Sequence, residues 1–338
     1  MSTLKEVAAE AGVHPGTVSA ILNRASGNSR FSDATREKVE RAAKKLSYVP
    51  NRSASILKKG TSNFVGFFGG DVRNPFFAEL ITALELSLRR KNLQLVTSQL
   101  TYAPDDSPEL HIQSLLEQSV QAIVYWDESE KRFRRKFSKK ENVLWLPVGF
   151  TRKRRPGIWL DLEHGIHQCV SYLKEKKCRN IYFFAPDPKQ EKASPSLIDR
   201  IECFQQTCRA QRLRGIPVTF PGHSWDIQAA RAGAESLIPR LAKEKRSAIL
   251  TFNDVAGLGL VMAGLARNQV IPFSNCPLVC FDGTRMMRPW NPNITYLDLK
   301  IDSFVEAIQN AIISAPPPTS GGLLKTQHWL KPEINVPA

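Results

Sequence analysis

Through the first fifty residues, apolar positions recur at helical spacing and the polar ones between them carry start and stop signals. In TLKEVAAEAG, Leu4, Val7 and Ala8 share one face, which predicts a short helix over about Leu4–Glu10. Thr3 and Glu6 form a capping box at its start, each side chain able to satisfy a backbone donor at the other's position. Gly12 stands where that helix must stop and the chain turn. Pro15 suits the first position of a second helix, where its missing N–H costs nothing. Val18, Ile21 and Leu22 are this helix's apolar stripe, and Thr17, Ser19 and Asn23 point elsewhere. Two short helices joined by a glycine-containing turn describe a helix-turn-helix, or an ordinary pair of surface helices. A polar loop, RASGNSR, leads to Ser32, which caps a third helix, DATREKVERAAKKLSY, with Val39, Ala42, Ala43 and Leu46 on its buried side. Val49-Pro50-Asn51 ends the unit. In NRSASILKKG, Asn51 can cap a one- or two-turn helix closed by Gly60, too short to stay helical alone in water. Such a piece is expected to order on binding, and Ile56 and Leu57 are apolar residues just ahead of Lys58 and Lys59.

From Phe64 the pattern changes to short apolar runs. FVGFFGG, LQLVTSQ, EQSVQAIVYW, NVLWLPVGF, GIWLDL, NIYFFAP, IPVTFPG, SAILTFND, PLVCFDG and ITYLDL read as strands. Between them lie amphipathic helices such as NPFFAELITALELSLRRKN, beginning near Pro75, GIHQCVSYLKEKK and IECFQQTCRAQR. Repeated strand–helix units mean a parallel sheet covered by helices on both faces. Roughly ten strands exceed one such domain, so two doubly wound subdomains are expected. The one low-complexity segment, APPPTSGG at 315–322, reads as a crossover or linker.

A chain of 338 residues, 42% hydrophobic, can bury the core that such subdomains need. Its net charge of +15 points to a polyanionic partner, but the charge is uneven. Residues 1–60 hold 11 Lys/Arg against 5 Asp/Glu, residues 131–155 hold 11 against Glu141 alone, and the rest is near balance. Arg36, Lys38, Lys44 and Lys45 of the third helix can sit beside phosphates. The run KRFRRKFSKK (131–140), with RKRR at 152–155, reads instead as a solvated face. Cys169, Cys178, Cys203, Cys208, Cys276 and Cys280 form no C-x-x-C pair and have no histidine at metal spacing. Reduced, buried thiols are expected, with no disulfide framework and no metal site. The chain opens directly on the capped helix, without room for a signal peptide, and no apolar run approaches a membrane span. A cytoplasmic protein without membrane contact is the expectation. FVGFFGGDV is neither a dinucleotide-binding nor a P-loop pattern, and no G-x-S-x-G, H-E-x-x-H or close carboxylate pair occurs. No catalytic residue and no cofactor is expected.

TLKEVAAEAGVHPGTVSAILN, followed by FSDATREKVERAAKKLSYVPNRSASIL, resembles the DNA-binding headpiece and hinge of the LacI/GalR (lactose repressor) family over residues 3–59. The rest of the chain resembles, more weakly, that family's effector-binding core, which is similar to a periplasmic sugar-binding protein. The resemblance implies an all-α helix-turn-helix headpiece (1–49), a hinge helix (50–60) and an α/β core (61–338) of two doubly wound parallel-sheet subdomains. Subdomain 1 would take about 61–160 and 290–320, and subdomain 2 about 161–289 and 321–338, with crossings near 160, 289 and 320. It also implies a homodimer formed through first-subdomain helices near 76–91, and no C-terminal tetramerising heptads are present. The partner would be double-stranded DNA with a two-fold symmetric operator, and a small carbohydrate-like effector would bind between the subdomains.

By the same resemblance, Thr17 and Ser19 hold phosphates while His14, Pro15, Gly16 and Ala20 face base edges in the major groove. This is a departure, because the family has bulkier or polar readers at positions 15 and 16 and an arginine at position 20. Pro15 and Gly16 offer no side-chain hydrogen bond and Ala20 only a methyl. Direct readout should be thin, with His14, Arg24 or Arg30 carrying more of it. Thr3, Asn23 and Asn51 complete the DNA-contacting set, and Leu57, with Ala54 beside it, matches the wedge that kinks the operator centre. For the effector, Arg200 and Asp282 match the family's ligand-binding arginine and acid. Trp225 and Asn253 fall on ligand-lining positions, joined by Asn74, Phe76 and Asp161 at strand or helix ends. Trp, Asp, Asn and Arg together suit a sugar or sugar acid, while Leu299 stands where the family often has glutamine. Two readings remain open at this point: an effector-controlled transcriptional repressor, or a sugar-binding or sugar-processing protein whose headpiece has lost specific DNA binding.

Overall fold

The computed structural model describes residues 2–22, 31–49, 62–99, 107–126, 143–151, 155–189, 195–267, 276–288, 294–315, 322–324 and 326–336. Asn23, Arg24, Arg30, the hinge with Asn51, Ala54 and Leu57, and most of the basic segment 131–155 lie outside them. The chain divides into two compact units, Met1–Ser62 and Asn63–Ala338.

In the first unit, α1 (Leu4–Ala11), α2 (Pro15–Leu22) and α3 (Asp33–Lys45) enclose Val7, Ala8, Val18, Ile21, Val39, Ala42 and Ala43. The capping box forms: Thr3 Oγ1 accepts from the Glu6 N–H at 3.3 Å, and Glu6 Oε2 from the Thr3 N–H at 2.8 Å. Gly12 ends α1 with φ 64°, the left-handed region where a Cβ is penalised. Ser32 caps α3 through the Thr35 N–H. That helix stops short of the expected Tyr48 because Ser47 takes φ 47° and the Tyr48 N–H closes back on the Ala43 carbonyl. Two contacts fasten its end to the start of the chain: Ser2 Oγ to the Leu46 carbonyl, and Lys45 to Glu10, both at 2.7 Å.

In the second unit all ten expected strands form. β1 (Phe64–Phe68), β2 (Gln94–Ser98), β3 (Ala122–Trp126), β4 (Leu144–Thr151) and β5 (Gly157–Asp161) belong to one sheet, β6 (Asn180–Pro186), β7 (Arg214–Phe220), β8 (Ser247–Thr251), β9 (Leu278–Asp282) and β10 (Thr295–Asp298) to another. The helices are α4 (Pro75–Arg89), α5 (Pro108–Glu117), α6 (Leu162–Glu175), α7 (Pro195–Ala210), α8 (Ile227–Lys243), α9 (Asp254–Leu265) and α10 (Ile301–Ser314). Three short strands were not foreseen: β11 (Gly322–Leu323) beside β4, β12 (Gln327–Leu330) at the edge beyond β5, and β13 (Glu333–Asn335), antiparallel to β10. They are too short, and β12 and β13 too exposed, to carry a strand-like apolar pattern.

The order is β12-β5-β4-β3-β1-β2 in the first sheet and β13-β10-β9-β8-β6-β7 in the second, every pair parallel except β10 with β13. β3 and β4 are buried throughout, which is why they read as unbroken apolar runs. One apolar cluster runs from Leu80 and Leu84 of α4 through Val124 and Leu146 to Phe183 and Phe281. Smaller clusters pack Ile112 and Leu115 against Ile123 and Trp145, and Leu260 near Tyr182 and Ile249. The six cysteines are free and buried. No helix among the described residues is long and apolar enough to cross a membrane.

The chain passes between sheets at 161–162, 299–300 and 331–332. The last two crossings come about ten residues later than the sequence suggested. β10 stays in the second sheet, paired with β9 through Tyr296 to Cys280 and Asp298 to Asp282, and β12 stays in the first through Trp329 to Trp159. Local pattern reveals a strand but not which sheet edge accepts it. Segment 290–320 is therefore split, with β10 in the second sheet while α10 packs on α4, and residues 322–330 return to the first sheet.

Candidate functional site

Two sets of residues bear on function, one in each unit. In the first, His14 is the residue before α2, and its carbonyl accepts from the N–H groups of Thr17 (2.8 Å) and Val18 (3.3 Å). Its ring accepts as well, Nδ1 lying 3.0 Å from the Gly16 N–H. Val18 and Ile21 are buried, while His14 and Gly16 are exposed and Pro15, Thr17, Ser19 and Ala20 half-buried. Thr3 is exposed, and its hydroxyl, already accepting from Glu6, keeps a proton to donate.

In the second unit the residues gather where strands of both sheets end. Arg200, on α7, is 5% exposed and donates from Nη1 to the Phe252 carbonyl at 2.6 Å. Its guanidinium carbon lies 4.1 Å from the ring of Phe150 and 4.5 Å from those of Phe252 and Phe281. Phe150 is next to the end of β4 in the first sheet, while Phe252 directly follows β8 and Phe281 lies in β9 of the second, so Arg200 spans the cleft by cation–π contact. Asp282 is buried at the end of β9 with φ 95°. Burial pushes its carboxyl up to about 6, opposed by the charge of Arg200 and by a hydrogen bond from the Asp254 backbone, and assisted by Glu79. Asp254 is equally buried and accepts from the N–H of Gly283 (3.4 Å), and from the N–H (2.6 Å) and hydroxyl (2.7 Å) of Thr284. Desolvation, and next the charge of Asp282, raises its carboxyl well above the usual range. Burial thus favours a proton on this pair.

Asn253 caps α9, its Oδ1 accepting from the Ala256 N–H at 2.9 Å, and its Nδ2 donates to the Ser224 carbonyl at 2.7 Å. This bond ties Asn253 to the loop that carries Trp225. The Trp225 ring stacks on His223 at 5.0 Å and bears the guanidinium of Arg73 3.4 Å from its centroid. Arg73 precedes α4 and is held by Asp71, its Nε 2.9 Å from both carboxylate oxygens. Trp225 Nε1 is buried with no hydrogen-bond partner among the described residues. A second bridge joins the walls where the Arg285 N–H donates to Glu79 Oε1 at 2.6 Å. Asn74 caps α4 through the Phe76 N–H at 3.1 Å. Phe76 packs edge-on to Trp126 (5.5 Å), which meets Phe150 (5.8 Å).

The contacts thus join Asn74, Phe76, Arg200, Trp225, Asn253 and Asp282 along one cleft, while those of Asp161 run to α6, which it caps through the His164 N–H. Leu299 is buried apolar core. Sequence reasoning passed over Arg73, Asp71, Asp254 and Phe150. Asp254 had a signal, since it adjoins Asn253 at a strand end. Arg73 carries no such signal, since its contact with Trp225 arises only from the fold.

A helix-turn-helix unit, followed in the chain by two linked parallel sheets with polar residues at their facing strand ends, defines a regulator with a periplasmic-binding-protein-like core. Residues 3–51 match the family "Bacterial regulatory proteins, lacI family", and residues 170–320 match the periplasmic binding protein-like domain. The HTH-type transcriptional regulator DegA of Bacillus subtilis (strain 168) is 24% identical over 302 residues, 87% of this chain and 85% of that one. The ribose operon repressor of Lactococcus lactis subsp. lactis (strain IL1403) is 34% identical over 133 residues, 39% of each chain. The crystal structure of the lac repressor dimer bound to operator and the anti-inducer ONPF shares the fold, with a TM-score of 0.79 at 20% identity over 98% of this chain and 97% of that one. Residues 3–51 are thus a lacI-family DNA-binding domain, joined to a periplasmic binding protein-like domain in a chain that aligns over most of its length with HTH-type transcriptional regulators.

Proposed function

We propose that this protein is a homodimeric, sequence-specific DNA-binding repressor of transcription, switched by a small carbohydrate-like effector held between the core subdomains. One observation carries the reading: a helix-turn-helix unit and a cleft bridged by Arg200 and Arg73 occur in a single chain. The headpiece is taken as 1–49, the hinge as 50–60 and the core as 61–338. Thr3, Thr17 and Ser19 engage phosphates, and His14, Pro15, Gly16 and Ala20 meet base edges, with Asn23, Arg30 and Asn51 adding contacts. Leu57, beside Ala54, enters the minor groove at the operator centre.

In the cleft, Asp282 accepts from effector hydroxyls and Arg200 donates to a hydroxyl or carboxylate. Asn74, Phe76, Asp161 and Asn253 line the space, and Trp225 is the plate for a ring once Arg73 withdraws. An effector that prefers one angle between the subdomains shifts the population and with it DNA affinity. The exposed Leu86 on α4 supports a dimer face there. The protein acts in the cytoplasm as a binding protein, without a catalytic step or cofactor.

The test is selection of bound duplexes from a random pool by the purified full-length protein. A palindrome with a flexible pyrimidine–purine step at its centre is expected, and Leu57→Ala should lose the central preference. Binding that is salt-sensitive but blind to sequence would sink the reading.

A further inference from the structure

The start of α2 lacks the side chains with which a helix reads bases. Pro15 and Gly16 carry no hydrogen-bonding group and Ala20 only a methyl. His14 stands in their midst, exposed, with its ring folded back so that Nδ1 accepts from the Gly16 N–H at 3.0 Å. A ring nitrogen that accepts holds no proton, so in the neutral imidazole the proton is on Nε2. Both neighbours fit this arrangement. Pro15 brings no N–H that would need a cap of its own. A Cβ at position 16 would lie 3.1 Å from Nδ1, closer than side chains normally pack, and glycine leaves that space to the ring. The three residues that look like a loss of readers form one device.

We propose that His14 is a specificity-determining residue of the headpiece. Its Nε2–H is a lone donor that pairs with a single major-groove acceptor, and Pro15 and Gly16 are positioning residues that fix its tautomer and direction. This rests on the DNA-binding reading above. Guanine N7 and O6, adenine N7 and thymine O4 can take such a bond, whereas the amino groups of cytosine and adenine cannot. One donor cannot make the bidentate pair that singles out one base. It therefore imposes a two-fold choice: purine if it meets N7, guanine or thymine if it meets a keto oxygen.

Duplex selection with full-length wild type, His14→Asn and Gly16→Ala tests this, with melting temperatures measured alongside. Asparagine is a good helix cap, so His14→Asn keeps α2 started while removing the ring. The wild type should show one position per half-site with that two-fold choice. Replacing the acceptor there with an analogue lacking it, 7-deazapurine or a base without the keto oxygen, should weaken binding about three- to tenfold, the size of one hydrogen bond. His14→Asn should change the preference at that position alone, to none or to the adenine its amide can pair with, with melting unchanged. Gly16→Ala should blur the same position although His14 is present, an effect that mere loss of stability would not confine to one base pair. An unaltered consensus from His14→Asn overturns this inference and leaves the repressor standing, as does a wild-type preference for cytosine facing α2. A wild type with no consensus overturns both.

Discussion

In the headpiece, the residues placed to act lie on the exposed start of a helix, above a core of seven small aliphatic side chains. In the cleft they are largely buried, and each already has a partner from the protein itself: Arg200 among three phenylalanines, Asp282 beside Asp254, Trp225 under Arg73. The first region has donors and acceptors held ready for a ligand that brings its own counterparts. The second must exchange internal contacts for external ones. In the proposed function, binding at the headpiece would add contacts, whereas binding in the cleft would move walls, which would suit one region to recognition and the other to switching.

The sharpest way to break this comparison is to remove an internal partner from the cleft. Arg200→Ala strips a buried charge from the cluster that opposes the rise of Asp282, and should cost the core about 3 kcal/mol at pH 7.5 in urea unfolding. A loss as small as that of an exposed arginine would mean the cluster is not coupled. Next in size is the response to acid. Asp282 has a folded value near 6, above that of the unfolded chain, so the folded core binds the extra proton. Core stability should rise as pH falls from about 7 towards 5, by at most about 1.4 kcal/mol per pH unit, and Asp282→Asn should flatten the profile. Val18→Ala, in the headpiece core, should remove about 2 kcal/mol from that unit alone, read as early loss of helical signal with the core transition unmoved. The smallest effect is expected from Arg73→Ala. It removes a contact of about 0.5–1 kcal/mol, but acrylamide should then quench Trp225 more readily, measured against a Trp225→Phe control.

How legible each region was follows the same division. Thr3, Glu6, Gly12 and Ser32 act within a few residues of themselves, so capping and turn chemistry placed α1 and α3 to within a few residues. His14 was legible as a candidate reader, but its ring cap was not, because histidine is not among the usual capping side chains and the bond depends on a rotamer. In the core, β1, β3, β4, β5, β6, β8 and β9 announced themselves by burial on both faces, and the more exposed β2 and β7 by their apolar runs. The edge strands β11, β12 and β13 did not, and the assignment of β10 to the second sheet depends on pairings that no local pattern encodes. Arg200 and Asp282 could be placed by resemblance. The Arg73–Trp225 bridge could not, since it joins loops about 150 residues apart, a separation only the tertiary fold brings to contact.

Around the crossings, Lys300 meets Glu333 at 2.7 Å, and the Ile334 N–H donates to Gln168, just beyond the first crossing, at 2.8 Å. All three passages between the sheets are thereby gathered into one spot. Two bodies fastened at a single side have little freedom to slide or separate and much to swing. In the proposed function the cleft would then work as the mouth of a clasp: an effector between its jaws would be measured by one angle, and one angle would be the whole of the message.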